Sequence, residues 1–255
     1  MILFHRYELL RTVQEGVHLV RDLLDPDARE VVLKEVHAQG DRTRDELARE
    51  FRTLLGLRHP GIVRALDFGG DKAGAHYLTM ERVDGEPLHR VLPRASSPQT
   101  VDLFRQAADA LAWAHRNGVL HGDLKPANLL AALEPECRLT VVDLGLARPV
   151  SGGVASVGGS AGFLAPEILA GGRPTVATDL WGLAAAFFAA LTGEPPSPFS
   201  APKATRHPKV PAVLAPLLES LLSRDPVARP VDAVAVLRRL GSAPTAGSAE
   251  LSFAG

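Results

Sequence analysis

The chain has 255 residues, a formal net charge of −1 and one cysteine, Cys137. This length allows one large domain or two closely packed lobes. The net charge gives no overall attraction to nucleic acid or to an anionic membrane. One cysteine excludes an internal disulfide and fits a reducing cytosol. We expect a cytoplasmic protein, because the apolar N-terminal run is too short for a signal peptide and the longest apolar run, residues 180–191, is far shorter than the roughly 20 residues that span a bilayer.

Short β-type runs dominate the N-terminal part of the chain. In chain order they are residues 7–10, 16–22 and 31–36, with a turn at residues 25–28. Because strand side chains alternate between faces, Val32, Lys34 and Val36 share one face. A lysine flanked by two valines on its own face is a candidate for a cleft. An edge-strand lysine whose charged end reaches water is the alternative that this segment leaves open.

Helical spacing follows over residues 41–57. The apolar positions of this helix share one face: Leu47, Phe51, Leu54 and Leu55. Glu50 lies at the margin of that apolar face, where most glutamates are solvated. Two more antiparallel strands are predicted at residues 62–68 and 76–81, with a glycine-rich turn at residues 69–74.

A long buried helix is predicted after Ser96, where serine is the cap and proline lies in the first turn. Its apolar face carries Val101, Phe104, Ala108, Leu111 and His115. The helix leads to the polar run HGDLKPAN, residues 121–128, in which Pro126 favours a fixed loop.

Two apolar runs flank a turn at residues 134–137, and a hairpin between them would bring Asp143 back beside Asn128. An amide oxygen and a carboxylate that converge form a hard oxygen site suited to Mg²⁺, with water and substrate phosphates as the other ligands. Asp123, a second carboxylate nearby, could orient an attacking hydroxyl or accept its proton. This combination is what phosphoryl transfer requires.

The rest of the chain predicts mainly helices. Residues 148–161 are rich in glycine and serine and predict a mobile loop, and residues 195–211 are rich in proline. Asp179 leads the most apolar helix, which Gly193 ends. Two closing helices are predicted at residues 214–222 and 231–240. Residues 241–255 predict a disordered tail.

Four segments, HGDLKPAN, DLG, APE and DLWGLA, resemble the catalytic loop, the metal-binding loop, the end of the activation segment and the following helix of eukaryotic-type (Hanks-type) protein kinases, as found in bacterial serine/threonine kinases. The resemblance covers residues 7–240. It implies an α+β fold with a small antiparallel-sheet N-lobe (7–80), a hinge (81–85) and a mainly helical C-lobe (86–240). It also implies transfer of the γ-phosphoryl group of ATP, with Mg²⁺, to serine or threonine hydroxyls of protein substrates or of the chain itself.

The resemblance assigns roles to individual residues. Asp123 would position the acceptor hydroxyl, Lys125 would stabilise the transferring phosphoryl group, and Asn128 and Asp143 would hold Mg²⁺. Lys34, held by Glu50, would bind the α and β phosphates. The base would be held between the lobes by Val17, Val32, Met80 and Leu130 and by backbone groups of Glu81 and Val83.

Other residues would support these roles. Asp179 would bond the backbone of the catalytic loop, although a simple charge at a helix N-terminus is its other interpretation. Glu167 and Arg229 would form a buried ion pair. His121 is interpreted as a structural histidine rather than a catalyst, and a plain core methionine is an equally compatible reading of Met80.

The chain also departs from the family pattern. Leu10, Thr12 and Glu15 stand where the phosphate-covering loop has glycine, and only Gly16 is a glycine. Gly122 replaces the arginine that receives an activation-loop phosphate, so little dependence on phosphorylation of Ser151 or Ser156 is expected. Residues 195–211 are short where the family has a docking helix, and Ser160 replaces a more frequent threonine.

Two other functions are compatible with parts of the sequence. The lost glycines suggest a pseudokinase, which would bind nucleotide or act as a scaffold with weak or no activity. A small-molecule phosphotransferase of the aminoglycoside or choline kinase type shares HGD followed by asparagine. Such enzymes lack the APE segment, Asp179 and Arg229, which favours the protein kinase.

Overall fold

The computed structural model describes residues 1–36, 44–144, 148–149, 160–200 and 204–241, with residues 148 and 149 described through their backbone. The chain divides into two compact units, residues 1–58 with 63–83, and residues 59–62 with 84 onward. The first contains an antiparallel sheet and one helix, and the second contains the other helices of the described ranges. The predicted α+β class is therefore confirmed. None of the helices in these ranges combines the length and the apolar character that crossing a bilayer requires.

The sheet of the first unit has six strands in the order β1-β2-β3-β4-β6-β5, and every neighbouring pair is antiparallel. The strands are β1 (Ile2–Leu3), β2 (Tyr7–Gln14), β3 (Val17–Asp22), β4 (Glu30–Val36), β5 (Ala65–Gly70) and β6 (His76–Glu81). Helix α1 covers Arg44–Gly56. One face of the sheet carries an apolar cluster of Tyr7, Val20, Val31, Leu33 and Tyr77.

The second unit is mainly helical. Its helices are α2 (Leu88–Val91), α3 (Ser97–Arg116), α4 (Pro166–Leu169), α5 (Val176–Thr192), α6 (Ala215–Leu221) and α7 (Ala233–Arg239). Short strands complete it: β7 (Glu86–Pro87), β8 (Val119–Leu120), β9 (Leu129–Ala132), β10 (Arg138–Val141) and β11 (Arg148–Pro149). Ser96 caps α3 in a capping box with Gln99. Gly193 ends α5 with φ = +97°, a conformation that glycine adopts without strain.

The region after α1 differs from the prediction. The strand expected from residue 62 begins at Ala65, because Ile62 instead forms a parallel bridge with Val141 and Gly61 O accepts a hydrogen bond from Val141 N. The following turn is correspondingly later, since β5 extends to Gly70. Leu55, predicted on the buried face of α1, is 48% exposed.

Several predicted features lie outside the described residues. They are the start of the first helix before residue 44, Gly145 of the DLG segment, Ser151 and Ser156 in the loop, and the tail beyond residue 241. In the described part of residues 195–211, the only helical element is one 3-10 turn, Ala204–Arg206.

Candidate active site

Lys34 and Glu50 form the ion pair that the sequence predicted. Lys34 Nζ lies 3.0 and 3.2 Å from the two carboxylate oxygens of Glu50. β4 supplies the lysine and α1 supplies the glutamate, and the two residues are only 7% and 2% exposed. Glu50 is thus buried rather than at the margin of the apolar face, because its charge is matched by Lys34.

The strand register places the lysine among the apolar residues that were predicted to hold a nucleotide base. Val17 lies opposite Lys34 across β3 and β4, and Val32 lies opposite Met80 across β4 and β6. Directly opposite residues point to the same face, and so do alternate residues along one strand. Val17, Val32, Lys34 and Met80 therefore share one face of the sheet, opposite the face of the Tyr7 cluster.

Glu81 and Val83 lie at the end of β6 and just beyond it. The Glu81 N–H donates to Arg64 O at 2.9 Å, and the Glu81 carboxylate accepts from Arg64 N at 3.0 Å. Both residues are half-buried. The side chain of Glu81 thus joins β6 to the segment before β5.

Asp123 is the centre of the polar loop in the second unit. Lys125 Nζ lies 2.7 Å from Asp123 Oδ2 and donates to Ser160 Oγ at 2.9 Å, while Ser160 N donates to Asp123 Oδ1 at 2.8 Å. Asn128 Nδ2 donates to Asp123 O at 2.9 Å. A carboxylate, an ammonium group and a hydroxyl therefore meet at one place, which is the arrangement needed to orient a hydroxyl and stabilise added negative charge.

The predicted hairpin between β9 and β10 is confirmed, with Leu129 paired to Val141. Val142 N donates to Asn128 O at 2.9 Å, so the chain returns beside Asn128 immediately before Asp143. Because Asn128 donates through Nδ2, its Oδ1 is left as a possible ligand. Asp143 has φ = +60°, an uncommon backbone conformation for a residue with a side chain and one that is enriched at functional sites.

Asp179 fixes the backbone at the start of this loop. Its carboxylate accepts hydrogen bonds from His121 N at 2.8 Å and Gly122 N at 2.9 Å, which confirms the predicted contact. His115 Nε2 lies 2.9 Å from the same carboxylate. Burial raises the pKa of Asp179. The hydrogen bonds and the nearby histidines lower that pKa by more than burial raises it, so the pKa lies below the ordinary value.

A second ion pair, between buried Arg229 and half-buried Glu167, joins α4 to the segment between α6 and α7. Arg229 donates through Nη1 and Nη2 to the two carboxylate oxygens of Glu167, each at 2.7 Å, as predicted. The guanidinium also lies over the Trp181 ring, 5.0 Å from its centroid, and donates to Ala177 O and Ser223 O. The bidentate geometry and the further bonds of the guanidinium support a structural role for this pair rather than a catalytic one.

Sequence reasoning missed two contacts. His115 was placed on an apolar helix face, yet its ring reaches Asp179, 64 residues later. Ser160 was noted only as a replacement for threonine, yet it contacts both Asp123 and Lys125. A histidine among aliphatic residues and a serine beside an APE segment are weak signals, because neither shows which distant group it meets.

His121 is fully buried, and its Nδ1 accepts a hydrogen bond from Asp123 N at 3.3 Å. A side chain that bonds the backbone of the loop supports it and is not placed to exchange protons with a substrate. The structure thus favours the structural role that was expected for this residue.

Two features together define the protein kinase class. One is an antiparallel sheet with a buried lysine–glutamate pair, and the other is a helical unit with an Asp-Lys-Asn loop and an aspartate that follows a β-hairpin. The family model described as "Protein kinase domain" matches residues 17–236, and the chain belongs to this family.

Curated relatives are bacterial serine/threonine kinases. The chain is 31% identical to the serine/threonine-protein kinase PknB of Mycobacterium tuberculosis over 253 residues, covering 87% of this chain and 40% of that protein. It is 35% identical over 213 residues to the DNA damage-responsive serine/threonine-protein kinase RqkA of Deinococcus radiodurans, covering 76% of this chain and 31% of that protein. The chain thus spans well under half the length of these relatives.

The solved structure of the Cydia pomonella granulovirus kinase PK-1 has a similar fold. Its TM-score is 0.77 at 20% identity, and the match covers 92% of this chain and 94% of that one. At this identity the likeness concerns the fold alone, and it confirms the predicted kinase-like fold.

Proposed function

We propose that this chain transfers the γ-phosphoryl group of ATP to serine or threonine hydroxyls of protein substrates, including its own, and that residues 7–240 form the kinase domain. The arrangement around Asp123, with Lys125, Ser160 and Asn128 as its neighbours, carries this proposal. The family match over residues 17–236 and the serine/threonine kinases among the relatives support it.

Asp123 and Lys125 are the proposed catalytic residues. An acceptor hydroxyl that donates to the Asp123 carboxylate is oriented for attack and has a group to accept its proton. The Lys125 ammonium, 2.7 Å from that carboxylate, places a positive charge where the transferred phosphoryl group gains negative charge on its oxygens. Ser160 Oγ holds the ammonium in this position from the other side.

The nucleotide is proposed to contact the sheet face that carries Val17, Val32, Lys34 and Met80. Lys34 binds the phosphates, and Glu50 keeps its ammonium group in place. Leu130, half-buried in β9, is proposed as a further apolar contact of the base. Backbone groups of Glu81 and Val83 hold the adenine edge.

Mg²⁺ is the metal that the family implies, and the donor groups fit it. Asn128 Oδ1 and the Asp143 carboxylate are hard oxygen ligands, and Mg²⁺ normally takes one or two of these with water and phosphate oxygens. When bound, it neutralises phosphate charge. Asn128 is oriented for this by its bond to Asp123 O.

The partners follow from this reaction. We propose protein substrates with serine or threonine acceptors and no nucleic-acid partner, since the formal net charge is −1. A reducing, cytoplasmic location fits the single half-buried cysteine, Cys137.

A radiolabelled ATP assay tests the proposal. The purified chain is incubated with Mg²⁺, [γ-³²P]ATP and casein, alongside Lys34→Met and Asp123→Asn. Exposed Lys72→Met and Asp27→Asn serve as matched controls. We expect Asp123→Asn to lower turnover by about a hundredfold or more while Mg-ATP still raises its melting temperature, with both controls fully active. Unchanged turnover in Asp123→Asn would refute the catalytic assignment. Stabilisation of the wild type by Mg-ATP without any transfer would support the pseudokinase instead.

A further inference from the structure

Three polar side chains form a continuous set of contacts near the tip of the β2–β3 hairpin, where the sequence lacks the glycines of the family pattern. Thr12 Oγ1 lies 3.1 Å from His18 Nδ1, and His18 Nε2 lies 3.1 Å from Glu35 Oε1. Thr12 belongs to β2, His18 to β3 and Glu35 to β4, so the contacts join three neighbouring strands. We call this set of contacts the hairpin brace.

Both ring nitrogens of His18 have a partner in the brace, although this residue is only 9% exposed. In the neutral ring, Nε2–H donates to the Glu35 carboxylate and Nδ1 accepts from the Thr12 hydroxyl. By contrast, His115 and His121 each keep one buried ring nitrogen with no hydrogen-bond partner among the described residues. Two bonds on different sides of one ring fix its orientation, because turning the ring would break both.

The backbone of the hairpin supports the same contacts. The register of β2 against β3 shifts twice near the tip, and between the two shifts Thr12 pairs directly with His18. A two-residue turn, residues 15–16, joins the strands, and Gly16 adopts φ = +68° there. Glu35 N donates to Gly16 O at 2.8 Å, so β4 contacts the tip through its backbone as well as through the Glu35 side chain.

The brace lies on the face of the sheet opposite the proposed nucleotide contacts. Val17 pairs with Lys34 on the nucleotide face. The side chain of the next residue, His18, points to the other face, because successive side chains along a strand alternate. An effect of the brace on a bound nucleotide therefore passes through the backbone of residues 10–16 and not through direct contact.

We propose that the hairpin brace positions the backbone that covers the ATP phosphates, in place of the conformational freedom that glycines give this loop in the family. This inference rests on the proposed function, and it makes Thr12 and His18 positioning residues rather than catalytic ones. Glycines let backbone N–H groups approach phosphates, but they leave the loop many conformations before the nucleotide binds. A hairpin that is already held in one conformation loses less entropy on binding.

Substitutions at exposed Thr12 test the brace with little risk to folding. Thr12→Val removes the hydroxyl with little change in shape, Thr12→Ser keeps it, and Thr12→Gly restores the residue of the family pattern. Thr205→Val is the matched control, because it removes an exposed hydroxyl that donates to Glu219 in the second unit. Calorimetry gives the Kd of Mg-ATP, and the radiolabelled assay with casein gives kcat and KM for ATP. Melting temperatures show that each variant is folded.

We expect Thr12→Val and Thr12→Gly to raise both the Kd and the KM about fivefold, as for the loss of one hydrogen bond, with kcat within about twofold of the wild type. Thr12→Ser and Thr205→Val should match the wild type. In a His18→Leu background, Thr12→Val should have no further effect, because the hydroxyl has already lost its partner. Tighter Mg-ATP binding by Thr12→Gly, equal losses in Thr12→Ser and Thr12→Val, or additive effects in the double variant would overturn the inference.

Binding and transfer, measured on the same proteins, separate this inference from the proposed function. Weaker Mg-ATP binding by Thr12→Val, with no phosphoryl transfer by the wild type or any variant, would support the brace and refute the proposed function alone. Phosphoryl transfer with equal Kd and KM values in Thr12→Val and the wild type would refute the brace alone. A lower melting temperature of Thr12→Val with unchanged Kd and KM would also refute it, since the contacts would then only stabilise the fold.

Discussion

Gly122 donates its backbone N–H to Asp179 Oδ1 at 2.9 Å from a conformation with φ = +79°. Residues with a Cβ seldom adopt this conformation, whereas glycine does so readily. The same glycine therefore lets the loop before Asp123 bond to α5. It also has no side chain with which to bind a phosphate.

We expect Gly122→Ala to lower the free energy of unfolding by about 1–2 kcal/mol, because the left-handed conformation crowds a Cβ. In a chain of this size that corresponds to a fall in Tm of about 2–8 °C. Gly122→Asn is the matched comparison, since asparagine tolerates this conformation better, and its Tm should fall less. Differential scanning calorimetry measures all three proteins. Equal Tm values for wild type and Gly122→Ala would contradict the strain argument.

Activity should depend little on phosphorylation of Ser151 and Ser156, which lie outside the described residues. Gly122 offers no guanidinium to a phosphate, so a phosphoserine gains no buried partner there. The kinase activity of the variant with alanine at both serines should stay within about twofold of the wild type. By comparison, a positive charge that contacts the transferred phosphoryl group changes the rate of phosphoryl transfer roughly thousandfold. Phosphatase treatment of the wild type is the control. A large gain in activity on phosphorylating either serine would contradict this prediction.

The Asp179 carboxylate should stabilise the fold in a pH-dependent way. Its pKa is lowered in the folded state, so its contribution is fully present above the unfolded pKa of about 3.9 and is lost as pH falls through the folded value. We compare the Tm of wild type and Asp179→Asn between pH 5 and pH 3. The wild type should be more stable at pH 5, and the difference should shrink below about pH 4. Exposed Asp27→Asn is the control. A constant difference down to pH 3 would contradict this account.

Glu50 should act on nucleotide binding through Lys34. In Glu50→Gln the ammonium loses its charged partner and is held less firmly, so KM for ATP should rise about tenfold, equivalent to about 1.4 kcal/mol. Exposed Asp45→Asn on the same helix is the control and should match the wild type. Steady-state kinetics at varied ATP concentration gives both values. A fall in kcat with unchanged KM would mean that Glu50 does not act by positioning Lys34.

Local pattern was informative where the residues that act together are close in sequence. Asp123, Lys125 and Asn128 lie in one loop, and a short turn returns the chain to Asp143, so spacing and hairpin rules suffice to predict their proximity. Cap and glycine signals likewise located the start of α3 and the end of α5.

Pairs that are far apart in sequence required the resemblance to the family or were missed. Lys34 with Glu50, Asp179 with the loop backbone, and Glu167 with Arg229 were predicted through the resemblance. The start of β5 was predicted too early, because β propensity does not reveal that Ile62 is paired with Val141, which is far away in the sequence.

Residue types and their order, with the family resemblance that they carry, were therefore enough to predict the α+β class, the order of the elements and the acidic, basic and amide groups of the site. Tertiary structure alone decided that His115 shares Asp179 with two backbone N–H groups, and that Ser160 joins Lys125 across 35 residues. The physical reason is that a buried polar group must find a partner, while local sequence carries little information about which distant segment supplies it.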